Sequence, residues 1–256
     1  MNGGLSEARN SGLALHTGQF IAFLDSDDYV QNDMVERLLR CIKNEKVDIA
    51  VCQWQWEAID GKHTVTRRDI PEDILGYHTS MEFARFLYGW GDYCNGVVCS
   101  PWNKLFRGEC FQRIRFSGEM CEEYGMMDDL LSICDSVYVI REQLYYYCEN
   151  PTSLTQAAFN SKSYHMFDVL IRRVELFHQD KRFVNHTKKL FCDLYIEYYY
   201  AALKQGILPY QNKNVYLRFQ HEVKANRKVK CRYSIFSFSP RLYSFFSKVR
   251  RALYLK

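Results

Sequence analysis

Residues 16–29 have the sequence HTGQFIAFLDSDDY, in which a turn is followed by an apolar run and then by three aspartates. The unbroken run Phe20–Leu24 predicts a short, fully buried strand. Asp25, Asp27 and Asp28 follow at the point where this strand must end. In an open α/β sheet the carboxyl ends of the strands border the crevice that binds ligands. We therefore predict a binding site at these aspartates.

The segments after this stretch predict an alternation of helix and strand. A helix is expected from an N-cap at Asn32 to about Asn44, followed by a strand in VDIAVCQWQWEAI, residues 47–59. The predicted apolar face of the helix comprises Met34, Val35, Leu38, Leu39 and Ile42. Asp60-Gly61 predicts a hairpin turn to a partner strand in HTVT, residues 63–66. The order predicts an α/β protein.

Further along, helices are predicted around residues 80–88 and through MMDDLLSICD, residues 126–135. SVYVIREQLYYYCEN, residues 136–150, predicts a strand, a turn and a second strand. Two amphipathic helices are then predicted, over Ser163–His178 and over a segment that ends before Gly206.

Composition and charge exclude several classes of protein. With 47% hydrophobic and 25% charged residues, the chain can bury enough apolar surface to fold. Ten scattered cysteines without metal-ligand spacing predict reduced structural thiols rather than a disulfide scaffold or a zinc site.

The charge is distributed unevenly along the chain. From Lys204 onward there are 13 Lys and Arg and a single acid, Glu222, whereas the preceding residues carry a net charge of −8. We expect an acidic body with a basic tail that binds an anionic partner, in a cytoplasmic protein.

The aspartates also predict metal chemistry. Two carboxylates at positions i and i+2 can share one hard cation, so Asp25 and Asp27 fit Mg²⁺ or Mn²⁺ bridging a diphosphate. The alternative interpretation is an acidic loop that caps a helix. Calcium storage is disfavoured, because the glycine and closing glutamate of an EF-hand are missing.

Several linked motifs occur in a fixed order along the first 155 residues. They are NGGLSEARNSGL (2–13), TGQFIAFLDSDDY (17–29), PWNKLFRGECF (101–111), RFSGEMCEE (115–123) and the LYYY (144–147) of EQLYYYCENPTSLT. In these motifs the chain resembles family 2 of the nucleotide-sugar glycosyltransferases, enzymes of the GT-A fold. The resemblance implies that Asp25 lies near the ribose of the donor, that Asp27 binds the metal on its diphosphate and that Arg9 contacts the nucleotide. Without the resemblance, Arg9 would be an ordinary residue of a helix surface.

The resemblance also implies a catalytic base. Glu122-Glu123 stands where the family has a Glu-Asp pair whose second acid takes the proton of the acceptor hydroxyl, giving a single displacement with inversion. The chain departs from the pattern at Glu123, which is one methylene longer than aspartate, and at Cys121, where an aromatic residue is usual. Either Glu123 still reaches the hydroxyl or another group is the base. From the residues alone, the two acids predict a solvated helix start.

Trp102, Asn103 and Lys104 match the element that lies beside the acceptor pocket in the implied fold. An aromatic face can stack on a sugar and a lysine can hold a phosphate. The alternative is structural: a buried tryptophan followed by a capping asparagine.

The end of the chain, PRLYSFFSKVRRALYL (240–255), predicts an amphipathic helix. Its apolar face comprises Leu242, Phe245, Phe246, Val249 and Leu253, and its polar face Arg241, Ser244, Lys248 and Arg251. Basic residues opposite aromatic ones are typical of a helix on an anionic membrane surface, here the inner face of the plasma membrane. The alternatives are packing on its own domain and a nucleic-acid patch, although no nucleic-acid-binding fold signature accompanies the charge and we expect no such partner.

Together these patterns predict a GT-A-like mixed sheet that lacks its first strands, followed by a helical region. The segments would be the C-terminal part of the donor-binding core (1–58), an acceptor side (59–155) and a helical basic tail (156–256). The family pattern is entered in the middle, at Met1, so β pairing at Phe20–Leu24 should leave an open edge. The predicted function is inverting, metal-dependent sugar transfer from a nucleotide diphosphate donor to a hydroxyl of a saccharide or lipid-linked saccharide, in cell-surface polysaccharide synthesis. The alternative is an inactive truncated remnant that binds a membrane or a partner.

Overall fold

The structure, a computed structural model, describes residues 4–58, 64–66, 71–88, 92–118, 120–148 and 159–254. The chain forms two compact units, Met1–Ala158 and Phe159–Lys256. The boundary between the units thus lies three residues after the predicted end of the acceptor side, and no division separates 1–58 from 59–155. None of the helices in these described ranges is long and apolar enough to cross a membrane.

The first unit is a mixed sheet with helices. Its described helices are α1 (Gly4–Leu15), α2 (Met34–Glu45), α3 (Ser80–Arg85), α4 (Asp92–Cys99) and α5 (Glu122–Ile133). Its described strands are β1 (Phe20–Ala22), β2 (Tyr29–Val30), β3 (Ile49–Ala58), β4 (Thr64–Thr66), β5 (Gly76–Thr79), β6 (Lys104–Arg107) and β7 (Ser136–Cys148). Short 3₁₀ turns occur at Glu72–Ile74, Phe86–Tyr88 and Gly108–Phe111. The predicted α/β class is confirmed.

The described strands form one seven-stranded sheet with the order β1-β6-β3-β7-β2, to which β4 adds on β3 and β5 on β7. The pair β3–β7 is parallel and begins at Ile49 opposite Val137, whereas the other pairs are antiparallel. The pairing of β3 with β4 confirms the predicted hairpin partners, while the Asp60-Gly61 turn itself lies outside the described residues.

Two sequence predictions near β1 need correction. The apolar run 20–24 is not fully buried, because Ala22 and Leu24 are exposed and β1 lies at the end of the strand order. Within the described sheet β1 has a neighbour on one side, β6, and Leu24 lies beyond its end, so an unbroken apolar run does not by itself predict burial. In α2 the helix begins one residue later than predicted, after Asp33 rather than Asn32, and Val35 faces solvent.

Residues 136–148 form one continuous strand, so the turn predicted within this segment is wrong. Polar Arg141 and Glu142 lie at a point where the strand changes partners: β5 pairs with its first half and β2 with its second. The pairing with β3 continues across this point through register shifts between Val51 and Trp54. An irregularity in the partner strand therefore replaces the expected turn.

The second unit is helical. Its described helices are α6 (His165–Leu176), α7 (Lys181–Gln205), α8 (Lys213–Glu222), α9 (Arg227–Phe238) and α10 (Pro240–Tyr254). Asp180 caps the start of α7 by accepting hydrogen bonds from two backbone N–H groups, and Gly206 ends it with a φ of 68°. The two predicted amphipathic helices are confirmed as α6 and α7. Their apolar faces meet α8 and α9 in an aromatic core that includes Phe167, Phe191, Tyr195, Tyr216, Phe219, Tyr233 and Phe236.

Candidate active site

Helix α1 is fastened to the segment that precedes α5. The side chain of Asn10 donates to the carbonyl of Phe116 at 2.8 Å and accepts from its N–H at 2.9 Å. Ser6 donates to the carbonyl of Gly118 at 2.8 Å. Asn10 is the last residue of the ARN motif, and Arg9 lies about one turn after Ser6, so these bonds hold the motif against the segment that leads into α5.

Arg9 is the centre of the site. Its Nη2 donates to Asp25 Oδ1 at 2.8 Å and to Glu123 Oε1 at 2.9 Å, and its Nη1 donates to Glu122 Oε1 at 3.3 Å. The Arg9 side chain is only 6% exposed, and its guanidinium lies 5.1 Å from the ring centre of Phe116. Arg9 is therefore not the helix-surface residue of the alternative interpretation. It joins Asp25, in the loop that follows β1, to both acids at the start of α5.

The electrostatics of this cluster are unusual because one cation faces three carboxylates. Burial lowers the pKa of Arg9, but the negative charges of Glu123 and Asp25 outweigh it and the net direction is upward. Burial raises the pKa of Glu123 to about 7, helped by repulsion from Asp25 and Glu122 and opposed by Arg9. Glu123 thus exchanges its proton near neutral pH, as a general base requires.

Glu122 and Glu123 form the first turn of α5, preceded by Cys121 in the left-handed region with a φ of 61°. A non-glycine residue in this conformation is uncommon and accompanies functional sites. The solvated helix start of the alternative interpretation is wrong, because both acids are partly buried and ion-paired with Arg9.

The segment 25–28, which we call the aspartate loop, is held at its C-terminal end by Asp28. Asp28 Oδ2 accepts a hydrogen bond from the Tyr145 hydroxyl at 2.5 Å, and its Oδ1 accepts from the N–H of Cys148 at 2.8 Å. Burial raises the pKa of Asp28 to about 6, against the lowering effect of these two bonds. The backbone N–H of Asp25 also donates to the Tyr145 hydroxyl, at 3.4 Å. Asp27, between them, is exposed.

The residues present fit a divalent ion only together with a substrate. Asp25 and Asp28 are engaged with Arg9, Tyr145 and the backbone, and Asp27 is an exposed carboxylate of the same loop. Across the described part of the chain, no group of three or more His, Cys, Asp or Glu is arranged to hold a metal. One carboxylate is enough for Mg²⁺ when substrate phosphates and water complete its shell.

Trp102, Asn103 and Lys104 lie in the core rather than on a surface. The amide of Asn103 donates to the carbonyl of Cys52 at 2.9 Å. The ammonium of Lys104 donates to the carbonyl of Val97 at 2.6 Å, to the carbonyl of Ser100 and to Asn103 Oδ1 at 2.7 Å. Lys104 therefore binds the end of α4. The structural alternative describes these contacts, and the acceptor-binding role stays a prediction.

Lys104 is a fully buried cation. Burial lowers its pKa to about 7, while the negative charges of nearby groups, including Glu123, act in the opposite direction. The negative charge of Glu123 acts on the buried Lys104 and opposes the lowering of its pKa.

A group of aromatic side chains connects this core to the aspartate loop. Trp102 stacks on Tyr145 with ring centres 4.3 Å apart and meets Trp54 edge-on at 5.8 Å. Tyr145 then reaches Asp28 through its hydroxyl. Sequence reasoning assigned no role to Tyr145, although it lies within the LYYY motif. The sequence does not distinguish it from Tyr146 and Tyr147, which carry the same hydroxyl.

The structure thus brings together Arg9, Asp25, Glu122 and Glu123. Asp27 lies two residues after Asp25 in the chain, and Trp102, Asn103 and Lys104 are buried in the core. The predicted contact of Arg9 with a nucleotide and the metal role of Asp27 stay predictions.

Comparisons with known proteins bear on this arrangement. Residues 1–115 match the model of the family described as Glycosyl transferase family 2, so Glu122 and Glu123 lie beyond the matched residues. The chain is 26% identical to glycosyltransferase GlyA of Streptococcus pneumoniae over 183 residues, which are 68% of this chain and 25% of GlyA. It is 28% identical to the uncharacterized glycosyltransferase EpsJ of Bacillus subtilis over 176 residues, 62% of this chain and 46% of EpsJ. The chain therefore spans less than half the length of either relative.

Among solved structures, S. aureus TarS 1-349 in complex with UDP-GlcNAc aligns with a TM-score of 0.56 at 15% identity, over 94% of this chain and 68% of that structure. At this identity the likeness concerns the fold, and it confirms the predicted GT-A-like architecture. Residues 1–115 of the chain are thus similar to glycosyltransferase family 2.

Proposed function

We propose that the chain carries the active site of an inverting, metal-dependent glycosyltransferase. The donor would be a sugar linked to a nucleoside diphosphate, and the acceptor a hydroxyl of a saccharide or lipid-linked saccharide in cell-surface polysaccharide synthesis. The observation that carries the proposal is the single buried Arg9 that holds Asp25 beside Glu122 and Glu123. Arg9 thus joins Asp25 of the aspartate loop to Glu123, the candidate base.

Glu123 is proposed as the base. A carboxylate with a pKa of about 7 is ionised in about half of the molecules at neutral pH and binds a proton more strongly than an ordinary glutamate. Arg9 holds Glu123 through Oε1, and the second carboxylate oxygen is the atom proposed to take the proton of the acceptor hydroxyl. Glu122, held through the other guanidinium nitrogen, fixes the orientation of Arg9.

Asp27 is proposed to bind the divalent ion. When bound, Mg²⁺ or Mn²⁺ supplies positive charge that stabilises the departing diphosphate. Its neighbours keep the loop in place: Asp25 pairs with Arg9, and Asp28 is held by Tyr145 and by the backbone of Cys148. Because its neighbours hold the loop, less of the chain around Asp27 has to be ordered when an ion binds.

For Trp102, Asn103 and Lys104 we propose an indirect contribution to acceptor binding. Their side chains are buried, so they would act by supporting Tyr145 and the end of α4. Substitution of Trp102 should then alter the position of the aspartate loop through Tyr145 before it alters any direct contact with a sugar.

The test is a panel of nucleotide sugars, starting with UDP-sugars because the TarS relative was solved with UDP-GlcNAc. The wild-type chain is incubated with each donor and Mn²⁺ or Mg²⁺, and release of the nucleoside diphosphate is measured. We expect release from at least one donor, its loss with EDTA and its loss in Glu123→Gln. The matched control is Glu142→Gln, which changes an acid that is 48% exposed on β7.

Folding of each variant is verified by circular dichroism. Equal release by Glu123→Gln and wild type would reassign the base. Absence of release from every donor by a folded wild-type chain would favour the non-catalytic alternative, a protein that binds a membrane or a partner.

A further inference from the structure

Four large apolar side chains are exposed within nine consecutive residues at the junction of α9 and α10. Phe238 is 85% exposed, Leu242 39%, Phe245 61% and Phe246 50%. We call these four residues the apolar patch. Exposed apolar side chains that occur singly are ordinary, whereas a contiguous group marks an interaction surface.

The patch is unusual within this chain. Every other phenylalanine of the described ranges is buried or half-buried, and the three exposed ones all belong to the patch. A chain that buries its phenylalanines so consistently leaves these three uncovered.

The helix that carries most of the patch is docked through a different face. Tyr243 of α10 stacks on Tyr200 with ring centres 5.9 Å apart and meets Phe236 edge-on at 5.7 Å. Tyr200 also donates to the carbonyl of Pro240 at 2.5 Å. These contacts fix the start of α10 on the helical unit and direct Leu242, Phe245 and Phe246 to solvent. Packing on its own domain, one of the alternatives from the sequence, therefore does not cover the patch.

The charge around the patch is of one sign. The 34 residues that follow Glu222 contain ten Lys and Arg and no Asp or Glu. Among those whose side chains the structure describes, five are exposed: Lys224, Arg227, Lys228, Lys230 and Arg241. Arg232 is paired with Asp193 of α7. The patch therefore lies in a strongly positive segment.

We propose that the apolar patch inserts into the surface of a lipid bilayer with anionic headgroups, and that the surrounding basic residues bind those headgroups. Aromatic and leucine side chains enter the boundary between headgroups and acyl chains, while Lys and Arg are attracted to the negative surface. A second copy of the chain fits less well, because a symmetric contact would bring two basic segments together. A nucleic acid would satisfy the charge but would not bury Leu242 and Phe238. The bilayer contact is independent of the proposed catalysis.

The first test is co-sedimentation of the full chain with vesicles of phosphatidylcholine alone or mixed with phosphatidylglycerol. We expect binding to the anionic vesicles, weak binding to the neutral ones and weakening by salt. Phe245→Ser with Phe246→Ser should lower the partition coefficient roughly tenfold or more, because two large apolar side chains no longer enter the bilayer. The matched control is Leu203→Ser with Leu208→Ser, which removes two exposed apolar side chains of the same unit outside the patch. This control should bind as wild type does.

A second pair of variants separates local contact from net charge. Arg241→Glu and Lys213→Glu change the net charge equally, and both residues are exposed in the first turn of a helix. Arg241→Glu should weaken vesicle binding much more than Lys213→Glu does. Each basic residue near an anionic surface raises the affinity about fivefold.

Several results would overturn the proposal: no binding to anionic vesicles by the folded chain, unchanged binding by the double phenylalanine variant, or equal losses in the leucine control. Light scattering of the same samples gives one more outcome. If the chain is a dimer that Phe245→Ser with Phe246→Ser converts to a monomer, and no vesicle binding occurs, the patch is an interface between copies and the membrane proposal is wrong.

Discussion

Replacing Arg9 by glutamine should destabilise the first unit in a strongly pH-dependent way. The substitution removes the cation that is ion-paired with Asp25, Glu122 and Glu123, whose side chains are 23%, 12% and 23% exposed. It leaves three carboxylates close together and largely screened from water. Removing one partner of a buried ion pair costs about 3–5 kcal/mol, because the remaining charge is uncompensated.

We expect Arg9→Gln to lower the free energy of unfolding by about 3 kcal/mol at pH 8. This is the lower end of the range for buried ion pairs, because Asp25 and Glu123 keep some contact with water. The sign of the pH dependence follows from the acids. Without Arg9 their pKa values rise, so the folded variant binds more protons than the unfolded chain and gains stability relative to wild type as the pH falls. At pH 5 the loss should shrink to about 1 kcal/mol, since protonated carboxyls no longer repel one another.

The assay is urea denaturation followed by tryptophan fluorescence. All four tryptophans of the chain lie in Met1–Ala158, so the fluorescence reports the first unit without contribution from the second. The control is Arg40→Gln, which breaks an exposed pair with Glu36 on α2. It should cost at most about 0.5 kcal/mol at either pH. A loss for Arg9→Gln below 1 kcal/mol at pH 8, or the same loss at pH 5 and pH 8, would refute the reasoning.

Other consequences of the structure can be measured on the same unit. Lys104→Met tests the lowered pKa of Lys104: between pH 7 and pH 9 the unfolded wild-type chain keeps a proton on this lysine that the folded chain loses. The free energy of unfolding of wild type should therefore rise by about 2 kcal/mol relative to that of the variant over this range. A difference between the two free energies of unfolding that does not change with pH in urea titrations would contradict this. Tyr145→Phe removes the hydroxyl that donates to Asp28 and should cost about 2 kcal/mol, and NMR titration of Asp28 should give a pKa above the wild-type value of about 6. If a donor is turned over, the rate should rise with pH through about 7 as Glu123 ionises and then level off; a rate independent of pH between 5 and 8 would exclude Glu123 as the base.

The sequence predicted helices and strands well where the apolar residues follow a single clear pattern. Helices α2, α6 and α7 have apolar residues at helical spacing, and β3 is a long β-branched and aromatic run, so local patterns were sufficient. Prediction failed where neighbouring strands determine the burial or the continuity of a segment. The run 20–24 has the composition of a buried strand but forms a sheet edge, and β7 crosses its polar Arg141-Glu142 because partners change there.

The candidate site shows the same limit. Asp25, Glu122 and Glu123 were found from local motifs and a family resemblance, and the structure brings them together. Their common partner Arg9 was expected at a nucleotide, since no local pattern shows that residues more than 110 positions apart meet on one guanidinium. Trp102, Asn103 and Lys104 were expected beside the acceptor because they match a family element at that place in the implied fold. Burial, which depends on the whole sheet, gives them structural contacts instead.

The most direct test of the central claim is calorimetric titration of the chain with UDP in the presence of Mn²⁺ and in the presence of EDTA. The aspartate loop is proposed to bind a nucleoside diphosphate through an ion on Asp27, so binding should require Mn²⁺ and should be lost in Asp27→Asn. It should persist in Asp73→Asn, which alters another exposed aspartate of the same unit. Binding of equal affinity with EDTA, or in the Asp27→Asn variant, would contradict the account.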